Sequence, residues 1–381
     1  MKKILILTGR YLPGHKDGGP LRTIINITDA LGDEYDFYIG CLDRDHGDQY
    51  AYTGIIRNEW NQVGKAKVWY VEPGGFTNEL LMKLIEGKDL LYLTSFYSDF
   101  GYKSLLLKRC GKITIPVALA SMGVFSPAAL AHKALKKKFF IFACKALHLF
   151  RNITWSVTSE LEANDLKNCI GNDISYIVAE DLPRINVPGR LSKRNEKFQI
   201  VFLSRICAHK GLDIAIDALQ HIDIDKFCFS IYGPIQEANY WNKCVNKLKS
   251  SKINWTYEGD VASELVQEVL SHYDVLILPT KSENYGHVIF EALSVGCIPV
   301  ISDTTPWSVV KTSGAGKVLS LDDISAFSLA IESLINSPKE EINNMRKQCV
   351  ELALDTVNRS INNTGYRLIF EESFDNGKVE H

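Results

Sequence analysis

The sequence predicts an α/β protein of two doubly wound, parallel-sheet domains. Three observations predict it. Apolar runs of strand length alternate with helical patterns along the chain, as parallel strands with crossover helices require. The runs fall into two sets on either side of one polar, proline-containing stretch. The chain has 381 residues, 46% of them hydrophobic, enough for two cores.

In the first half, strands are expected at 3–8, 35–41, 67–71, 89–93, 113–119, 154–158 and 174–178. The opening Met1-Lys-Lys-Ile-Leu-Ile-Leu7 lacks a small-residue cleavage site and soon turns polar, so it reads as a buried strand rather than a signal peptide. Gly18-Gly19 follows it and precedes a helical pattern from Leu21 to Leu31. Glycines there let the backbone approach a phosphate. They do not form the Gly-x-Gly-x-x-Gly dinucleotide fingerprint, which disfavours a nicotinamide cofactor.

In the second half, strands are expected at 198–204, 226–232, 253–257, 274–278, 298–302 and 316–319. The stretch from Pro183 holds Pro188 and Gly189 among polar residues, which marks an interdomain linker. The expected division is a first domain at 1–186, a linker at 187–197, a second domain at 198–355 and a C-terminal segment at 356–381.

Net charge is −2, which gives no overall attraction to nucleic acid. Cysteines 41, 110, 144, 169, 207, 228, 244, 297 and 349 include no Cys-x-x-Cys pair. They read as reduced cysteines of a cytoplasmic protein. No segment approaches the roughly 20 uninterrupted apolar residues of a transmembrane helix.

The segment Glu283-Asn-Tyr-Gly286-His-Val-Ile-Phe-Glu291 carries the most chemistry. It follows the strand Val275–Leu278, so Glu283 sits at a strand–helix turn and Glu291 lies inside the helix. The helix start lies about six residues, or on the order of 9 Å, from Glu291. Two carboxylates so spaced suit one elongated ligand rich in hydroxyls, with the helix N-terminus facing a diphosphate. Upstream, Arg205 and Lys210 follow strand 198–204, and Gly211 opens the next helix. Two cations past a strand end suit the same diphosphate.

These motifs resemble the retaining glycosyltransferases of GT-B type, with two Rossmann-like domains facing a cleft, and within them the large family 4 (group 1 type). The resemblance covers nearly the whole chain. It is most specific over Phe202–Leu219, Ile231-Tyr-Gly233-Pro234, Tyr257-Glu-Gly259 and the two-glutamate segment, and looser over Ile4–Leu7, Gly18-Gly19-Pro20, Asp43-Arg-Asp45 and Val157–Ala163. It implies that the C-terminal segment crosses back to the first, acceptor-binding domain. It implies a donor site of Gly18, Gly19, Arg205, Lys210, Glu283, Asn284, Tyr285, Gly286, His287 and Glu291 in which Glu283 meets the donor sugar and Glu291 the ribose. Arg205 and Lys210 bind the diphosphate and, with Glu283, form the catalytic set. The region of Glu258 and Gly259 would lie at the base. Where relatives often carry Pro-Asn-Gly before the linker, this chain has Glu180-Asp181-Leu-Pro183, which puts that turn in doubt.

The implied reaction moves a hexose or N-acetylhexosamine from a nucleotide-diphosphate sugar, UDP favoured, to a hydroxyl of a glycan or lipid-linked glycan in cell-surface polysaccharide synthesis. It needs no cofactor and no metal. Asp43-Arg-Asp45 and Asp223-Ile-Asp225 have the Asp-x-Asp form of metal-dependent transferases. Chance makes such a short motif often, and Asp45 is expected instead to shape the acceptor side. Ser121, Gly123 and Phe125, after strand 113–119, together with His132, are the acceptor-side candidates. No general base is assigned. The stretch 128–151 carries Lys133, Lys136, Lys137, Lys138, Lys145 and Arg151 among bulky apolar residues and no acids. It suits an anionic membrane surface, and equally a helix packed on the sheet. A cytoplasmic enzyme, peripheral at the inner face of the cytoplasmic membrane, is the expectation. A sugar-nucleotide epimerase of the same fold and a non-catalytic nucleotide-sugar-binding protein stay open as alternatives.

Overall fold

The computed structural model describes residues 1–126, 130, 134–189 and 197–376. Two compact units emerge, Met1–Leu182 with Ser360–His381 and Pro183–Arg359. The division falls earlier than the expected 186 for a local reason. Leu182 is 2% exposed in the first core, and its carbonyl accepts from Asn26 Nδ2 at 2.6 Å. Arg184 already bonds Gln267 of the second unit at 3.1 Å. Gly189 N–H donates to the Ser294 carbonyl at 3.2 Å, so the start of the expected linker is tied to the second unit. Its remainder, 190–196, lies outside the described residues.

The first unit holds β1 (Lys2–Leu7), β2 (Tyr35–Leu42), β3 (Trp60–Val63), β4 (Ala66–Val71), β5 (Leu90–Leu93), β6 (Val117–Ala120), β7 (Thr154–Val157) and β8 (Ser175–Val178). Their order is β3-β4-β2-β1-β5-β6-β7-β8. All pairs are parallel except β3 with β4. β3 has no apolar run to announce it. It forms because Trp60 packs edge-on against Trp69 and Tyr38, with centroids 5.4 and 5.0 Å apart. β6 begins at Val117 rather than at 113, since Pro116 has no N–H to give a ladder. The helix Gly365–Asn376 returns to this unit, and Phe370 sets its ring edge-on to Tyr35 and Tyr92 at 5.3 and 5.9 Å.

The second unit holds β9 (Phe198–Leu203), β10 (Phe227–Tyr232), β11 (Trp255–Gly259), β12 (Val275–Leu278), β13 (Ile298–Ser302) and β14 (Lys317–Leu319). The order is β11-β10-β9-β12-β13-β14, with every pair parallel. Every residue of β12 and β13 is buried, as helices on both sheet faces demand. Each such aliphatic side chain contributes about 1.5–3 kcal/mol through burial. Counted from β9, the strands run 3-2-1-4-5-6. The order reverses between β9 and β12, the position where open α/β sheets take ligands in a crevice at the carboxyl ends of their strands. Arg205 and Lys210 follow β9, and Glu283 follows β12.

Candidate functional site

At that reversal the loop 204–211 meets the loop 279–286. Lys210 Nζ donates to Glu283 Oε1 at 2.6 Å, and the two side chains are only 10% and 12% exposed. His209 braces the pair. Its carbonyl accepts from Lys281 N–H at 2.9 Å, and its ring Nε2 lies 3.0 Å from Ser282 Oγ. Gly211 makes this approach possible. Its φ is 75°, and an added Cβ would lie 2.1 Å from the Pro279 carbonyl oxygen. Arg205 stays exposed, its Nη1 3.2 Å from Gln236 Oε1.

Gly286 caps the helix His287–Ser294, and Asn284, Tyr285 and Gly286 lead into its N-terminus. Glu291 lies within this helix and is 4% exposed. At i and i+4, His287 and Glu291 share one helix face. Trp307, which the sequence reading passed over, fixes the turn. Its indole N–H donates to the Tyr285 carbonyl, and its ring stands edge-on to Tyr285 at 5.4 Å. The loop after β13 is tied to the loop after β12 as well, with Ser302 Oγ and Thr304 Oγ1 both donating to the Thr280 carbonyl at 2.5 and 2.6 Å. The signal available in the sequence was position alone, a tryptophan and hydroxyls just past a strand end. Glu258 is exposed and Gly259 half-buried at the end of β11, where the Gly259 carbonyl accepts from Gly233 N–H at 2.7 Å.

In the first unit, Gly18 caps a helix that begins at Gly19, two residues before the expected Leu21. A Cβ at either glycine would meet nothing within 4 Å, so protein does not crowd this loop. The acceptor-side candidates separate. Ser121 is fully buried, and its Oγ donates to the Ser156 carbonyl at 3.2 Å. Phe125 is a core residue, stacked on Phe96 at 5.3 Å and edge-on to Trp155 at 5.6 Å. Their side chains are therefore spent inside the unit instead of facing a ligand. Gly123 N–H donates to Glu162, whose other oxygen accepts from Thr158 N–H and Oγ1 at 2.6 and 2.8 Å. That carboxylate pins the Met122-Gly123 turn. His132 lies outside the described residues.

Asp43 is fully buried, with its oxygens 2.8 Å from Arg44 Nε and 2.6 Å from Arg57 Nη2. Both are committed to guanidinium groups. Asp223 accepts from Asp225 N–H at 3.1 Å and so closes a turn with its own motif. Asp181, noted in the sequence only as part of an atypical turn, is a half-buried acid. Thr23 Oγ1 donates to it at 2.8 Å, and Tyr366 OH lies 3.4 Å away. Burial pushes its carboxyl up to about 6, against the Thr23 hydrogen bond and with the help of the Glu162 charge.

The expected basic helix spans Ala134–Ala146. Ile141 and Cys144 are buried, and Phe140 packs against Tyr97 at 5.4 Å. Phe139 and Phe142 point the other way, 73% and 68% exposed, beside exposed Lys136, Lys138 and Lys145. The helix packs on the unit and presents aromatic and basic side chains outward. Among the described residues no helix is long and apolar enough to cross a membrane.

The two parallel-sheet units share the fold of solved GT-B glycosyltransferases. Residues 184–353 match the family model described as glycosyl transferases, group 1. The match spans nearly all of the second unit. Among solved structures, Alr3699/HepE from Anabaena, in complex with UDP and glucose, superposes with a TM-score of 0.66 at 16% identity, covering 95% of this chain and 98% of that one. Sucrose-phosphate synthase from Thermosynechococcus elongatus gives 0.68 at 16% identity, covering 98% and 100%. At that identity the likeness is one of fold. An uncharacterized 41.2 kDa protein in the cps region of Klebsiella pneumoniae is 23% identical over 239 residues, 60% of this chain. The match spans 63% of that relative's length.

Proposed function

We propose that this protein is a retaining, metal-independent glycosyltransferase of family 4. It would move a hexose or N-acetylhexosamine from a nucleotide-diphosphate sugar, with UDP favoured, to a hydroxyl of a glycan or lipid-linked glycan in cell-surface polysaccharide synthesis. The observation that carries the reading is the Lys210–Glu283 pair at the crevice of the second sheet. An ammonium has three N–H donors, and Lys210 gives one to Glu283. The others suit the diphosphate, with Arg205 as the second cation. Glu283 accepts from donor-sugar hydroxyls, Glu291 from the ribose, and the N–H groups of Asn284 to His287 add to the diphosphate site.

In this mechanism the bond from the anomeric carbon to the β-phosphate oxygen breaks, and the negative charge gathers on the diphosphate beside Arg205 and Lys210. Stabilising charge where it develops is the protein's main contribution. The acceptor hydroxyl attacks the same face of the sugar and passes its proton to the leaving phosphate oxygen, so the configuration is retained. The bound UDP of HepE and the cps-region setting of the Klebsiella protein support the donor and the role. The outward Phe139 and Phe142 with their lysines support a peripheral site on an anionic, cytoplasmic membrane face.

The test is a donor screen. UDP-, GDP- and dTDP-sugars are offered with and without EDTA, and binding, hydrolysis and epimer formation are followed. Micromolar binding of one donor, insensitive to EDTA, supports the reading. Conversion of the donor to its epimer moves the protein to the isomerases, and binding that needs a divalent cation overturns the metal-free mechanism.

A further inference from the structure

The peptide that joins Tyr285 to Gly286 is held by a residue 22 positions on from Tyr285. The indole N–H of Trp307 donates to the Tyr285 carbonyl. Trp307 is 4% exposed, with its ring edge-on to Tyr285 and 6.4 Å from that of Phe290. Its own carbonyl accepts from Val310 N–H at 3.0 Å, so its backbone is fixed as well as its ring. Among the described residues it is the only tryptophan whose indole N–H has a hydrogen-bond partner.

The hydrogen bond decides which way this peptide faces. The peptide is trans, and in a trans peptide the C=O and N–H point in opposite directions. The Tyr285 carbonyl turned to Trp307 therefore aims the Gly286 N–H away from Trp307. A Cβ on Gly286 would lie 3.5 Å from Glu283 Cγ, so this N–H stands beside the Lys210–Glu283 pair. It donates to no group among the described residues. Gly286 has φ 80°, and a glycine takes either sign of φ without steric penalty. The backbone alone thus permits a peptide flip, which would turn a carbonyl oxygen to the side where the N–H now lies. The bond to Trp307 opposes that flip.

We propose that Trp307 is a positioning residue of the transferase, holding the Gly286 N–H ready for the charge that gathers on the leaving diphosphate. The proposal rests on the transferase reading and adds to it a residue outside both loops of the Lys210–Glu283 pair. An N–H fixed before charge develops needs no reorganisation when the bond breaks. The charge on the β-phosphate is larger in the released nucleoside diphosphate than in the nucleotide sugar. The effect of Trp307 therefore falls on turnover and on the released nucleotide more than on the bound donor.

The test compares wild type with Trp307→Phe, which keeps an aromatic ring and removes the N–H. The probes are UDP-glucose, or the nucleotide sugar that the donor screen selects, and the matching nucleoside diphosphate. Trp307→Phe should lower kcat for donor hydrolysis and weaken nucleoside diphosphate binding, each roughly tenfold or more, with donor KM changed by less than about threefold. Should Trp307→Phe fail to fold, a chain made with benzothienylalanine in place of tryptophan puts sulfur where each indole N–H was and keeps every ring. Among the described residues that exchange removes only the Trp307 indole bond, so the same changes are expected of it. Unchanged kcat and diphosphate affinity, or a loss confined to donor KM, overturns the role of Trp307 alone. A wild type that binds no nucleotide sugar, or turns none over, overturns the transferase reading itself.

Discussion

Lys210 Nζ lies 2.6 Å from Glu283 Oε1, and this contact bridges residues 73 apart in sequence. It joins the loop after β9 to the loop after β12, so a cation suited to a diphosphate and a carboxylate suited to a sugar are held as one unit. If they act as one, their effects on turnover are not additive. Lys210→Ala and Glu283→Ala should each lower kcat/KM by about 100- to 1,000-fold, the range for a lost charge-stabilising donor. The double variant should fall little further. Steady-state kinetics on the donor identified by the screen checks this, and full additivity would contradict it.

Gly211 is the hinge on which that contact depends. With φ at 75° and the Pro279 carbonyl 2.1 Å from a would-be Cβ, Gly211→Ala cannot be accommodated without moving one loop. The variant should lose more than about 1 kcal/mol of stability in urea unfolding. It should lose donor affinity too, whereas Gly18→Ala, which meets open space, should be milder in the packing part of its cost.

Asp181 gives the first unit a pH dependence with a definite sign. Its carboxyl is raised from an ordinary 3.8 to about 6, chiefly by burial. At pH values below about 4 it is protonated whether the chain is folded or not and costs nothing. Between about 4 and about 6 the unfolded chain has released this proton while the folded chain still holds it, so stability falls across that window and levels off above it. Asp181→Asn keeps an acceptor for Thr23 and Tyr366. It should flatten the profile and raise stability at neutral pH by roughly 2–3 kcal/mol. Unfolding midpoints measured at several pH values check it.

The helix Ala134–Ala146 makes a separable prediction. Phe139→Ser with Phe142→Ser removes two exposed aromatics and leaves Ile141 and Cys144 in the core. Sedimentation with vesicles rich in anionic lipid should show binding weakened roughly 10- to 100-fold, with the unfolding temperature unchanged. Wild-type binding should also weaken with salt, since exposed lysines supply part of it. Equal binding by wild type and variant would remove the membrane from the account.

Much of the fold could be read in the sequence because parallel sheets bury strands on both faces and so write them as apolar runs. Val275–Leu278 and Ile298–Ser302 are such cases. β3 was not legible, because a half-exposed edge strand held by Trp60 against Trp69 leaves no run and no alternation. Arg205, Lys210 and Glu283 could be placed at the strand-order reversal because each sits just past a strand end. Trp307 and His209 were not, because their places come from tertiary contacts with Tyr285 and Ser282 that no local spacing reports. Ser121 and Phe125 show the converse. Position after a strand placed them correctly along the chain, but a turn pinned by Glu162 sends their side chains inward.

The central claim is that the crevice of the second sheet binds a nucleotide-diphosphate sugar through Lys210, Glu283 and Glu291. Calorimetric titration of UDP-glucose into wild type, Lys210→Ala and Glu291→Ala tests it most directly. The account predicts a micromolar dissociation constant for wild type, and binding weakened at least roughly tenfold in both site variants, more than a single lost hydrogen bond to a neutral partner commonly costs. Wild-type affinity retained in Lys210→Ala and Glu291→Ala would contradict it.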